Sequence, residues 1–194
     1  FDIENQVLID AINNDFSINA LAVSESNGVH YFAVGGYRSL KLYKMQDGEF
    51  VELNELETTC DQLLTVNFDS DSDLEFVCLD RDYSTINVYD VTSEALALKE
   101  TIALSFYPQK IAAIPTTSYN QSILAIHQPD DYDYSYDYYD SIGYQVVEID
   151  NKGHAVWHSP LLGLQNVDGM RTRKNSDGEL ELQIGNSDMA LLAK

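Results

Sequence analysis

Apolar residues along the chain alternate with polar ones or gather in short blocks of Val, Ile, Leu, Phe and Tyr, and turn residues separate the blocks. The helical period is weak throughout, so the pattern predicts β-strands. Paired strands are predicted at residues 18–23 and 29–34, 63–67 and 74–79, 111–114 and 123–126, and 170–173 and 180–184. The first three pairs each lead into an outer hairpin: 40–45 with 50–53, 86–91 with 96–102, and 144–149 with 155–158. Gln46-Asp47-Gly48 joins the first of these hairpins and Asn151-Lys152-Gly153 the third.

Four strands in about 44 residues, repeated, is the sequence signature of a propeller blade. Val23 opens the first inner turn and Asn67 the matching one 44 residues later. From Asn67 to the corresponding Arg173 is 106 residues, two periods plus 18, and the surplus falls on a long insertion in the third unit. The fourth unit ends on a single strand at 189–193, while an orphan strand stands at 7–12. The 21 residues after Arg173 and the 23 that lead up to Val23 together make one more period. The expectation is therefore an all-β, single-domain, small four-bladed β-propeller covering 1–194, its last blade closed by the N-terminal strand. Blades fall at about 17–57, 61–103, 109–160 and 166–194 with 7–12. Ala20, Ala22, Ala112 and Ala113 fit inner strands crowded around an axis, or the ordinary use of Ala in half-buried strands.

Composition narrows the function classes. Hydrophobic residues make up 44% of 194, enough for a packed core rather than a disordered chain. Eleven basic against 32 acidic side chains give a formal −21. That charge excludes a non-specific nucleic-acid footprint and disfavours anionic lipid surfaces. No apolar run of ~18 residues is present to span a membrane. A start at Phe1 reads as a processed mature protein or an excised domain, expected to be secreted, periplasmic or on the cell surface, and monomeric. Cys60 and Cys78 have neither metal-ligand nor redox-motif spacing. The strand pattern brings them near each other, as a disulfide or as two buried thiols.

The stretch Asn67-Phe-Asp-Ser-Asp-Ser-Asp-Leu-Glu-Phe-Val77 resembles the calcium loop of FG-GAP/VCBS-type propeller repeats, as in integrin α-subunit propellers. On that resemblance Asn67, Asp69, Asp71 and Glu75 would supply side-chain oxygens to Ca²⁺ and Asp73 a backbone carbonyl. Hard Ca²⁺ takes six to eight oxygens, and alternate residues of a tight turn converge. Ser72 stands where the family has glycine. The segment from Arg173 to Leu182 shows the same register with Arg173 at a ligand position, and the segment from Val23 to Gly28 keeps only the turn.

In a propeller, the loops that join second to third strands and those that enter each blade share one face, opposite the calcium-like turns. Here they carry Tyr37 and Arg38, Arg81 and Tyr83, Phe106 and Tyr107, and Gly185-Asn186. They also carry the insertion 130–140, where Tyr132, Tyr134, Tyr136, Tyr138 and Tyr139 stand among Asp130, Asp131, Asp133, Asp137 and Asp140. Tyrosine offers rigid amphipathic contact area at low entropic cost, and carboxylates accept hydrogen bonds from sugar hydroxyls or pair with a basic partner. His127 leads into this insertion. Arg171 and Arg173 alternate on an inner strand, suited to an anion in a channel or, as the favoured reading, to surface pairs. No Ser or Cys nucleophile stands beside His127 to suggest a triad, and no phosphate-cradling Gly loop is present. The expected function is a non-catalytic binding module for a glycan or a protein at the loop face. Its alternatives are an enzyme that uses acidic residues of that face, and a spacer domain without a ligand.

Overall fold

The computed structural model describes residues 15–26, 28–69, 75–92, 95–114, 121–129, 143–164, 166–185 and 190–193. The expected strand at 7–12, the ligand positions Asp71 and Asp73, and Tyr132, Tyr134, Tyr136 and Tyr138 lie outside them.

Every described element is a strand, and the strands form four antiparallel sheets, within each of which neighbouring strands follow chain order. The first sheet holds β1 (Ile18–Ser26), β2 (Val29–Gly36), β3 (Ser39–Gln46) and β4 (Glu49–Leu56). The second holds β5 (Gln62–Val66), β6 (Glu75–Asp80), β7 (Thr85–Thr92) and β8 (Ala95–Ala103). The third holds β9 (Pro108–Ala113), β10 (Ile123–His127), β11 (Gln145–Ile149) and β12 (Ala155–His158). The fourth holds β13 (Gly169–Lys174), β14 (Leu180–Gly185) and β15 (Ala190–Ala193). Within each sheet every strand pairs with its sequence neighbour, the simplest connectivity for antiparallel strands.

Three strands run three residues past the sequence expectation at one end: β1, β9 and β4, which ends at Leu56 rather than at 53. β1 does not end at Val23; it continues to Ser26, and its pairing with β2 runs to Ser26 opposite Val29. The polar Ser24-Glu25-Ser26 stretch reads as a turn, yet the hairpin projects far enough that Glu25 and His30 pair across it in solvent, 3.7 Å apart. β9 begins earlier than expected, at Pro108. Proline lacks an N–H for the ladder, but β9 is an edge strand and Pro108 is its first residue, where that loss is tolerated.

The chain packs into two compact units. The first comprises Phe1–Thr65, Asp73–Asp80 and Asn87–Thr101; the second comprises Val66–Ser72, Arg81–Ile86 and Ile102–Lys194. The first unit's core gathers Ala20, Ala22, Ala33, Leu40, Leu42, Cys60, Leu63, Phe76, Cys78, Tyr89 and Leu96. β1 shows the alternation that feeds it: Ala20, Ala22 and Ser24 are buried while Leu21 and Val23 are exposed. β6 is buried at all six positions, as expected of an inner strand covered on both faces. The second unit's core is built from Ala112, Leu124, Ile126, Tyr144, Val146, Leu164, Met170, Leu182 and Ile184.

In the first unit Lys41 lies almost buried on β3, with its ammonium 3.5 Å from Asp15, 3.5 Å from Glu52 and 3.8 Å from Glu55. Burial opposes its charge, but these carboxylates and Tyr43 outweigh it and raise the amine's pKa. Tyr43 donates its hydroxyl to Glu52 at 3.2 Å, and burial together with Glu52 pushes its own pKa up to about 12. This is a structural clamp that ties the segment before β1 onto the sheet.

Candidate functional site

In the first unit the two-residue turn between β2 and β3 presents Tyr37, 62% exposed, and the exposed Arg38. The Arg38 guanidinium lies 5.4 Å from the Tyr37 ring centroid, within cation–π range. Arg38 holds φ at +59°, left-handed backbone that a non-glycine residue keeps only when its surroundings demand it.

In the second unit the turn Arg81-Asp82-Tyr83-Ser84 closes with the Ser84 N–H donating to the Arg81 carbonyl at 3.1 Å. Tyr83 is 78% exposed at its tip, and Ser84 sits at φ +50°. The Ser84 carbonyl accepts from the Leu104 N–H at 2.9 Å, so this turn abuts the segment that leads through Phe106 and Tyr107 into β9. Tyr107 is 47% exposed. Phe106 stacks on the His127 imidazole with centroids 4.3 Å apart and ring planes at 28°. That stack follows from register, since His127 faces Pro108 across the β9–β10 ladder. His127 is buried, with Nδ1 3.0 Å from the Gln128 carbonyl. It is therefore a packed side chain rather than one that reaches into solvent. Phe106 is the member of this cluster that its residue type alone does not single out. Arg81 is partly buried.

Of the calcium-loop positions, Asn67 is buried and fixed in the second unit through its backbone. Its carbonyl accepts from the Gln121 N–H at 2.8 Å and its N–H donates to Gln121 Oε1 at 3.3 Å. Asp69 is partly buried. Glu75, at the start of β6 in the first unit, is 1% exposed, and its carboxylate lies 3.8 Å from the Lys99 ammonium. Lys99 also reaches Asp90 at 3.1 Å. Among the described residues no group of three or more His, Cys, Asp or Glu side chains forms a metal cluster.

Two other hairpin loops of the second unit show how such turns close on their own groups. In the β11–β12 loop the Asp150 carboxylate accepts from the N–H groups of Lys152 and His154, at 2.9 and 2.8 Å. In the β13–β14 loop Asn175 Oδ1 accepts in the same way from Asp177 and Glu179, at 3.0 and 2.9 Å. Gly153 and Gly178 take the left-handed position in each, at φ +80° and +81°. Burial opposes ionisation of Asp150, but the amides and imidazole of His154 and the amide of Lys152 outweigh it and lower its carboxyl pKa. A carboxyl depressed on folding adds stability above its unfolded pKa of about 3.9, and that stability is lost as the pH falls through the folded value. Asp150→Asn keeps both acceptor bonds, as Asn175 does. Thermal melts from pH 2 to pH 6 are expected to show a flatter acid limb for this variant than for the wild type.

Arg171 and Arg173 pair across β13–β14, with Gln183 at 2.7 Å and Glu181 at 2.8 Å respectively. They are ordinary cross-strand partners on an exposed face. Nearby, a shallow hollow of about 310 Å³ is lined by Gly169, Met170, Arg171, Gln183, Ile184 and Gly185. In the first unit Cys60 and Cys78 are joined in a disulfide with Cα atoms 5.5 Å apart, which decides between the two readings of these cysteines. Among the described residues no helix is long and apolar enough to cross a membrane.

No protein-family model matches the chain. No curated protein matches it either. Among solved structures it is similar to Kuenenia stuttgartiensis hydrazine synthase, at a TM-score of 0.54 and 16% identity over 87% of this chain. The match covers 44% of that protein's chain, so this chain spans less than half its length. At this identity the likeness concerns the all-β fold.

Proposed function

We propose that the chain is a non-catalytic binding module of a secreted, periplasmic or cell-surface protein, which holds a glycan or a protein partner on exposed tyrosines at its inter-strand turns. The observation that carries this reading is the contrast among its aromatic residues. Tyr43, Tyr89, Tyr144, Phe68 and Phe76 are buried, whereas Tyr37, Tyr83 and Tyr107 stand 62%, 78% and 47% exposed on turns. Large amphipathic rings displayed on constrained turns, Tyr107 next in sequence to a Phe106 that stacks on His127, suit ring-on-ring or ring-on-sugar contact. The buried disulfide agrees with an oxidising compartment.

The four sheets support a four-bladed β-propeller as the finer fold. Three sheets of four strands and one of three follow the same meander, and β1 and β5 begin 44 residues apart, at Ile18 and Gln62. In that reading the N-terminal segment would close the last blade.

Screening on a printed array of neutral and acidic oligosaccharides, with a parallel protein-capture screen, tests the function. The probes are the wild type, the Tyr83→Ala/Tyr107→Ala double variant and a deletion of 130–140. Exposed substitutions of this kind change stability by about 0.5 kcal/mol or less. A fall of tenfold or more in every detected interaction is expected of the double variant. Interactions that survive both changes intact sink the loop-face assignment, absence of any interaction favours the spacer reading, and turnover of an arrayed glycan favours the enzyme.

Ca²⁺ remains part of the proposal through Asn67, Asp69, Asp71, Asp73 and Glu75. A thermal melt in millimolar Ca²⁺ is expected to lie several degrees above one in chelator. Coincident melts reject the site.

A further inference from the structure

We infer that the Cys60–Cys78 disulfide is a positioning element for the exposed Tyr37–Arg38 turn, acting through the connector that precedes β5. The inference rests on the reading of Tyr37 and Arg38 as ligand contacts and adds what holds them in place. Arg38 has left-handed backbone at φ +59°, so the turn needs outside support to keep its shape. Two tethers supply it, and both come from adjacent residues of one connector. The Cys60 N–H donates to the Gly36 carbonyl at 3.0 Å, and the Arg38 N–H donates to Thr59 Oγ1 at 3.4 Å.

That connector has no ladder of its own, since residues 57–61 lie between β4 and β5. Its anchors are the covalent bond from Cys60 to Cys78 on β6, and the Asp61 N–H donated to the Leu79 carbonyl at 2.8 Å. A side-chain hydrogen bond between Thr58 and Tyr89 is the third. Both cysteines are fully buried. The disulfide also lies directly against the end of β2. A Cβ on Gly35 would stand 2.8 Å from Cys60 Cβ and 3.2 Å from its sulfur, so the absence of a side chain at Gly35 is what lets the bridge approach the turn. The chain of support thus runs from β6 through the disulfide to Thr59 and Cys60, and from these to Gly36 and Arg38. Its product is a preorganised Tyr37–Arg38 pair, which cuts the ordering cost of binding.

Amide hydrogen exchange and NMR of the full chain test this, with the Asp47–Gly48 turn at the other end of β3 as internal reference. In a Cys60→Ala/Cys78→Ala variant the Arg38 amide is expected to exchange at least tenfold faster and the Tyr37 ring resonances to shift, while Gly48 exchange stays at the wild-type rate. Thr59→Val removes one tether without touching the cysteines and is expected to speed Arg38 exchange severalfold in an otherwise unchanged spectrum. Unchanged Arg38 exchange in a folded double-cysteine variant overturns the inference, as does equal acceleration at both turns, which marks a purely global role. If the double variant does not fold, unchanged Arg38 exchange in Thr59→Val overturns it. Because these readouts need no ligand, the inference can hold even if Tyr37→Ala leaves every arrayed interaction intact, a result that removes Tyr37 from the binding surface instead.

Discussion

Phe76→Ala is expected to lower the thermal midpoint of the protein by about 6–20 °C. Phe76 is fully buried on β6, a strand buried at every position, and it belongs to the first unit's core, whose members include Ala20, Ala22, Ala33 and Leu40. Truncation of a buried phenylalanine costs about 3–5 kcal/mol, because the lost transfer energy is joined by that of a cavity the neighbours cannot fill. Alanines in that core make collapse harder, since they have no side-chain atoms to swing inward. For a chain of this size each kcal/mol moves the midpoint by roughly 2–4 °C. Far-UV circular dichroism melts read the shift, and Tyr83→Ala serves as the exposed control. A change below about 2 °C would show that β6 is not the centre of its unit's core.

The strands of this protein are readable because burial writes itself into period two. Leu182 and Ile184 are buried and Gln183 and Gly185 less so. In β1 Ala20, Ala22 and Ser24 are buried and the larger apolar Leu21 and Val23 exposed, so there the apolar block rather than its polarity marks the strand. Turn chemistry adds the hairpin at Asp47-Gly48, where both residues take positive φ. Strand ends are less legible, for opposite reasons at two places. Ser24-Glu25-Ser26 is polar although the chain does not turn there: it continues the β1–β2 ladder, with Ser24 buried and Glu25 in water beside His30. Pro108 looks like a loop residue, yet an edge position removes the penalty for its missing N–H.

The site divides in the same way. The exposed turn tyrosines could be anticipated, since Tyr37, Tyr83 and Tyr107 sit beside Gly, Asp or Pro between apolar blocks. The Phe106–His127 stack could not, because it depends on the β9–β10 register that sets Pro108 opposite His127. The disulfide was open for a related reason. Cys60 lies on a connector, so strand pairing alone does not fix its distance from Cys78. The calcium-like motif is legible as a local pattern, but the long-range partners of its residues are not. Glu75 matches a ligand position in sequence, but Lys99 on β8, 24 residues away, already faces its carboxylate.

Gly36→Ala is expected to cost about 3 kcal/mol although Gly36 has ordinary backbone, and the reason is contact rather than conformation. A Cβ at this position would overlap the Ser17 carbonyl oxygen and lie 2.6 and 2.9 Å from two carbons of the Phe16 ring. The ring can rotate away, but the Ser17 oxygen is backbone, so relief requires the whole segment before β1 to move. That segment carries Asp15 to Lys41 at 3.5 Å and Phe16 beneath the same ammonium at 5.8 Å, so displacement also loosens the clamp on β3. Overpacking of this kind costs about 1–3 kcal/mol, and a backbone obstacle places Gly36 at the upper end. Gly163→Ala provides the contrast, because a Cβ there meets nothing within 4 Å. It is expected to be neutral, or slightly stabilising through the unfolded chain. Urea unfolding of the two variants measures both effects. Equal midpoints would show that the segment from Asp15 to Ser17 does not rest on β2, and would remove the clamp around Lys41 as a source of stability.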